Sequence, residues 1–306
     1  MPRNAILEVK DNNLIDTIRG FLRSLLEKGL LDAMLVPVEV PSRKNVVQTV
    51  VTGIDGLDNA NPLAPVMPVN SAKIVSSLTK VAPSKKKIGL VLRSCELRAL
   101  TELVKLKQAD LTNLLLIGID CFGAYSVSDY GTFCQENDSP TEKYLKKVRD
   151  GNDSLLRQSC RICCHPVPLT ADITIGLIGM DLDREIMVQG STEAGEEMLE
   201  ALDLGGDADP SKRDESVSKL GSEREKQRDE FLKTVQEEVE VLRTCSLFLL
   251  LVWHAITAVL PVPSVIAGSV CLIRLRLWSG KLKNIWTGPK RRELFVCPLI
   301  PYCFIL

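Results

Sequence analysis

What is missing narrows the possibilities for this 306-residue chain. Neither sign of charge dominates: 38 Lys and Arg against 39 Asp and Glu leave a net charge of −1, which argues against a general nucleic-acid footprint. Met1 to Lys10 contains no apolar run of the kind that forms a secretory leader. The ten cysteines are therefore expected in a reducing, cytoplasmic setting, where metal or redox chemistry is commoner than disulfide bridging. No Gly-x-Gly-x-x-Gly dinucleotide fingerprint occurs, and Gly176-Leu-Ile-Gly179 is too sparse to serve as one. Histidine is scarce as well. Of its two copies, His165 sits beside Pro166 and reads as a loop residue. Chemistry here falls chiefly to cysteine.

Four of those cysteines stand in a revealing pattern. Ile88 to Leu92 is a continuous apolar run too short for a helix, followed by Arg93, Ser94, Cys95 and Glu96. From Leu97 to Gln108 apolar residues recur at helical spacing, and Leu114 to Ile119 is a second apolar run that ends in Asp120 and Cys121. Two uninterrupted apolar strands joined by a helix predict a βαβ unit in a buried parallel sheet. Ligands of such sheets sit outside the carboxyl ends of the strands, which is where Cys95 and Cys121 fall. Cys160 and Cys163 add two more thiols at Cys-x-x-Cys spacing, with Cys164 adjacent. Soft donors in this arrangement suit an iron–sulfur cluster or zinc.

The remainder predicts an α/β fold with a mixed sheet around that parallel core. Asp11 to Lys28 is an amphipathic helix, and Ala33 to Val40 and Val46 to Thr52 are valine-rich strands. Pro62, Pro65 and Pro68 remove backbone donors, so Asn61 to Pro68 is a loop, ordered or exposed. Ser71 is placed as the cap of a helix to about Lys80, and the lysines at 85 to 87 as a solvated loop. The chain reads as irregular from Cys121 to a helix over Thr141 to Val148, with Cys134 a free or buried thiol without partner spacing. A further strand spans Ala171 to Ile178. Thr192 to Leu242 is a charged helical segment broken near Gly205 and Pro210, its charges read as a solvated face. The domains expected are a cofactor-binding α/β domain over 1–185, the charged helical segment over 186–243 and a tail over 244–306.

Together, Asn61-Pro-Leu-Ala-Pro65, Leu92-Arg-Ser-Cys-Glu-Leu-Arg-Ala99, Asp120-Cys-Phe-Gly123 and Cys160-Arg-Ile-Cys163 with Ala171-Asp172 carry a family resemblance. Over roughly residues 1–243 the chain resembles the beta-subunit family of coenzyme F-420-reducing hydrogenases and formate dehydrogenases, and its motifs lie nearer the formate dehydrogenase type. The resemblance implies an oxidoreductase subunit with an iron–sulfur cluster and FAD. Such a subunit would pass electrons between the catalytic subunit of a dehydrogenase or hydrogenase complex and a two-electron redox carrier such as F-420. A [4Fe–4S] cluster takes four thiolates, which Cys95, Cys121, Cys160 and Cys163 would supply, with Cys164 the alternative fourth ligand. Arg93, Glu96 and Arg98 are the cofactor-binding candidates. At a helix start they flank N–H groups suited to a flavin phosphate, although Glu96 equally suits plain capping and Arg93 a surface pair. No protein nucleophile is expected, so no catalytic residue is assigned. A zinc-stabilised binding module using the same cysteines is the alternative.

Beyond Cys245 some 28 residues carry no formal charge, and a basic tail follows. At face value residues 245–273 form one membrane span with a cytoplasmic C-terminus, which would make the protein a membrane-anchored adaptor. The reading preferred is a frame-shifted remnant of the cysteine-dense, ferredoxin-like domain that the resemblance leads one to expect. On that reading the membrane is a partner only if the tail is genuine.

Overall fold

The computed structural model describes residues 3–42, 44–149, 151, 154–204 and 208–259. The chain divides into two units, Met1–Thr234 and Val235–Leu306. In the second, what is described is helical backbone to Val259. The rest of the apolar run over 245–273, and the basic tail, lie outside the described residues. Among the described residues no helix is long and apolar enough to cross a membrane.

In chain order the elements are β1 (Arg3–Glu8), α1 (Leu14–Glu27), β2 (Ala33–Glu39), β3 (Val46–Val51), α2 (Ser71–Thr79), β4 (Ile88–Arg93), α3 (Ser94–Lys105) and β5 (Leu114–Ile119). They continue with α4 (Val127–Glu136), α5 (Pro140–Arg149), α6 (Gln158–Arg161), β6 (Ile173–Gly176), β7 (Glu185–Gly190), α7 (Glu193–Ala201) and α8 (Ser211–Val259). The strands form one seven-stranded sheet, ordered β1-β7-β6-β5-β4-β2-β3. Its centre, β2-β4-β5-β6, is parallel, and antiparallel partners close each side. The fold is the expected α/β class with a mixed sheet and a parallel βαβ core, followed by a charged helix.

Why β4 and β5 carry no polar alternation is plain from their surroundings. Val91 and Ile117 face a core with Ile18, Phe21 and Leu22 of α1. Leu90, Leu92 and Leu116 face a second core with Val75 of α2 and Leu97 and Leu100 of α3. A strand covered on both faces must be apolar at every position. Each such leucine contributes about 1.5–3 kcal/mol of burial free energy.

Local chemistry sets the helix starts. The side chains of Asn13, Ser126 and Thr192 accept from Asp16, Asp129 and Gly195 N–H, capping α1, α4 and α7. For α2 the cap is Asn70, which accepts from Ala72 N–H, and not Ser71 as expected. The shift has a reason: Ser71 donates its N–H and hydroxyl to Glu96 instead.

Candidate functional site

The site lies at the carboxyl ends of β4 and β5, whose last residues pair as Arg93 with Ile119. Helix α3 starts directly at Ser94, so Cys95 sits in a helical first turn and not on the strand. Glu96 fixes that turn. Its carboxylate accepts from Arg93 N–H at 2.9 Å and from Ser71 N–H at 3.0 Å, joining the N-termini of α3 and α2. It is 2% exposed, so these bonds engage both of its oxygens inside the protein. Arg98 lies on the exposed side of α3.

On the neighbouring strand end, Asp120 is buried and accepts from Leu177 and Ile178 N–H at 2.8 and 3.0 Å, tying β5 to the end of β6. Cys121 N–H donates to Pro166 C=O at 2.9 Å, and Arg157 N–H to Ala124 C=O at 2.9 Å. These two bonds clip the loop after β5 to the loop bearing Cys160, Cys163 and Cys164. Gly123 permits the approach. It adopts φ +130°, and a Cβ there would lie 2.7 Å from Leu156 Cδ2 and 3.3 Å from Cys160 Cβ. Tyr144 donates its hydroxyl to Gly123 C=O at 2.8 Å.

Over the site runs the proline loop. Asn61, Leu63, Ala64 and Val66 are all buried, Tyr125 N–H donates to Pro65 C=O at 2.7 Å, and the Arg93 guanidinium donates to Ala64 C=O. The loop is therefore ordered and interior, with prolines at positions where a free N–H would need a partner. A narrow cleft lined by Pro62, Leu63, Arg93, Cys121, Phe122 and Tyr144 opens beside it.

Electrostatically, Cys95, Cys121 and Cys160 act on one another. Cys95 is exposed at its outer side, yet desolvation by the surrounding protein pushes its thiol up, and Cys121 and Glu96 add to the rise. Burial also raises Cys121, against the pull of the Arg93 charge, while Cys160 raises it further. At Arg93 burial opposes the charge, but Cys121 and Glu96 outweigh it, and the pKa moves up. Cys95 and Cys121 thus both lie near the buried Arg93 cation, with Cys160 close enough to act on them. Cys163 stands at the end of the same short turn as Cys160, its N–H directed at Cys160 C=O at 3.3 Å. Cys164 points elsewhere, with Arg228 Nη1 at 3.4 Å from its sulfur. His165 is exposed, and Cys134 on α4 exchanges a hydrogen bond with Tyr130. Among the described residues no group of three or more His, Cys, Asp or Glu side chains is drawn close enough to hold a single ion.

Residues 85–209 match the family model for the C terminus of the coenzyme F420 hydrogenase/dehydrogenase beta subunit. Over that stretch the chain is similar to the coenzyme F420 hydrogenase/dehydrogenase beta subunits. It is 24% identical over 217 residues to F420-dependent formate dehydrogenase 1 subunit beta of Methanococcus maripaludis, covering 62% of this chain and 54% of that protein. To F420-dependent formate dehydrogenase subunit beta of Methanocaldococcus jannaschii it is 21% identical over 233 residues, covering 66% and 60%. The matches thus span less than two thirds of these curated relatives. Among solved structures, a chain of the F420-reducing [NiFe] hydrogenase complex from Methanosarcina barkeri shares the fold, with a TM-score of 0.54 at 14% identity over 77% of this chain and 91% of that one.

Sequence reasoning did not find Arg213, Arg224 and Arg228 of α8. Arg213 Nη2 lies 2.8 and 2.9 Å from the two Asp120 oxygens, with side-chain exposures of 6% and 0%. The signal available was a spacing of eleven and then four residues, which places all three on one helix face.

Proposed function

We propose that this chain is an electron-transfer subunit in which Cys95, Cys121, Cys160 and Cys163 hold a [4Fe–4S] cluster. Next to it, FAD would exchange electrons with a two-electron carrier such as F-420, within a formate dehydrogenase or hydrogenase-type complex. The observation that carries this reading is that Cys95 and Cys121, beyond the ends of adjacent parallel strands, lie near buried Arg93, with Cys160 close enough to act on both. The donor set fits the group. It is all-sulfur, and soft thiolate donors suit an iron–sulfur cluster. When bound, such a cluster supplies single-electron transfer and the flavin exchanges single electrons for hydride.

The chain's own residues do the rest. Thiolate ligation releases the thiol protons, so loading would be favoured by rising pH. Arg93, fixed on Ala64 C=O, holds a positive charge beside the thiolates and offsets their mutual repulsion. The proline loop and the Tyr125–Tyr144 edge-to-face pair, with ring centroids 5.5 Å apart, exclude water from one side. Arg98, exposed on α3, is available to an anionic group approaching from solvent.

The test is anaerobic purification with iron, sulfide, zinc and flavin analysis of the wild type, C95S and C121S. A brown protein that bleaches on reduction, with iron lost in both variants and helix content retained, is the expected result. Full iron occupancy in both variants overturns the ligand assignment. A colourless protein with stoichiometric zinc overturns the redox reading in favour of a zinc-stabilised binding module.

A further inference from the structure

We infer that Arg224, flanked by Arg213 and Arg228, is a positioning residue for the cysteine site, and that α8 is a strap holding the two cysteine loops in register. At 3.6 residues per turn the three arginines fall within about 60° of one another around the helix axis. Their neighbours Asp214, Glu215, Lys219, Glu223 and Glu225 are exposed, so one face of this charged helix differs from the rest. Arg213 binds Asp120, the residue before Cys121. Arg224, 8% exposed, donates from Nη2 to Phe122 C=O at 3.0 Å and from Nη1 to Cys163 C=O at 3.3 Å. Arg228 reaches Cys164. One guanidinium thus spans two loops that are far apart in sequence, at the residue after one proposed ligand and at the other ligand itself.

The receiving surface is shaped for this helix. A Cβ at Gly176 would collide with Arg213 Nε, and one at Gly179, which adopts φ +80°, would lie 2.8 Å from Ser216 Cβ. The Gly176-Leu-Ile-Gly179 stretch is the saddle on which the Arg213 turn of α8 rests. Arginine is the side chain that fits. Its planar fork presents several donors at fixed separation and reaches two carbonyls at once, whereas a lysine ammonium offers one mobile point. Arg224 therefore sets the separation between Cys121 and Cys163. The consequence for cluster binding rests on the function proposed above, while the strap itself does not.

Both can be tested on the full chain with R224M, R224K and, as a destabilised control away from α8, Leu100→Ala in the core beneath α3. The first measurement is iodoacetamide alkylation of each cysteine in the metal-free protein at fixed pH, followed by peptide mass spectrometry with Cys134 as internal reference. Loss of charge-assisted bonds to both carbonyls is expected to raise the Cys121 and Cys163 rates relative to Cys134 on the order of ten-fold in R224M, with R224K intermediate. L100A should lower the melting temperature without that change in ratio. Ratios within about two-fold of wild type in R224M, or an equal change in L100A, overturn the strap. The second measurement is iron bound per chain after reconstitution with iron and sulfide, expected to fall in R224M and recover in part in R224K. If the wild type itself binds no iron, the cluster reading fails, and the alkylation ratios still decide the strap.

Discussion

The ion pair between Asp120 and Arg213 is the most exacting point in the structure. Both side chains are essentially out of water, at 0% and 6% exposure, and Asp120 also serves Leu177 and Ile178 N–H. Removing one member of a buried pair strands the other charge, at a cost of about 3–5 kcal/mol. In Asp120→Asn the amide oxygen still accepts from the two N–H groups, so the loss comes from the stranded guanidinium and falls near the low end, about 3 kcal/mol. Arg213→Met strands the carboxylate, partly relieved by those same N–H groups, and should cost a similar amount. The double variant D120N/R213M strands no charge and keeps an acceptor for both N–H groups. It should therefore recover much of the loss, with a coupling of about 2 kcal/mol or more between the sites. Thermal and urea unfolding of the metal-free chain reads this directly. For a unit of this size about 3 kcal/mol corresponds to a fall of roughly 6–12 °C in Tm. Single variants each costing less than about 1 kcal/mol, or strictly additive effects, would refute the claim that this pair anchors α8.

Gly123→Ala places a methyl against Leu156 and Cys160 at a φ that side chains avoid, so Tm should fall and iron uptake should drop with it; unchanged iron content would show that the close approach of the two loops is dispensable. Glu96→Gln removes the charge from a carboxylate that joins two helix starts, and is expected to cost about 1.5–3 kcal/mol by urea unfolding, an effect that an unchanged midpoint would contradict.

How much of this was legible beforehand follows from where each element is buried. The β4-α3-β5 unit was readable because both faces of both strands are covered, leaving runs without polar interruption. The edge strand β1 and its partner β7 were not. They pair antiparallel across about 180 residues of sequence, and Arg-Asn-Ala-Ile-Leu-Glu shows neither clean alternation nor a continuous apolar run. Helix α4 was missed because Ser128, Asp129, Gly131, Thr132 and Gln135 dilute its apolar face, which rests on Tyr130 and Phe133. Of the site, the cysteines stand out in the sequence by position and spacing, and Cys95, Cys121 and Cys160 lie near enough to act electrostatically on one another, though among the described residues no group of three or more His, Cys, Asp or Glu is placed to hold a single ion. Nothing local distinguishes Arg213 and Arg224 from the solvated charges around them, because their burial is decided by Asp120 and two loop carbonyls in another part of the chain. The buried proline loop is similar: its composition specifies a loop, and only the Arg93 and Tyr125 contacts make it interior.

The tail differs in composition from the rest of the chain, and we propose a slip of one nucleotide in the gene as the reason. The apolar run begins near Cys245 and its chemistry is unlike anything before it. Reading across the codons, the last nucleotide of each joins the first two of the next. In this frame Trp253 and His254 force alanine, His254 with Ala255 permits cysteine, Ala255 with Ile256 permits histidine, and Ile256 with Thr257 permits asparagine. Continued to Val270, the shifted frame permits A-C-H-N-C-R-A-A-C-P-I-C-Y-C-R-E-C, in which one to three residues separate successive cysteines, a density that fits cluster ligation. Degenerate codons let many strings through and only the alanine across Trp253 and His254 is forced, so the gene sequence has to decide. On this reading Cys245, Cys271, Cys297 and Cys303 have no chemical role, and the apolar run is the accident of a displaced frame, prone to aggregation. Resequencing across codons 240–275 decides the matter: a displaced nucleotide between the codons for Leu242 and Val252 is expected. A confirmed unshifted gene, together with stable membrane association of the full chain that resists salt extraction, would refute it and make residues 245–273 a genuine anchor.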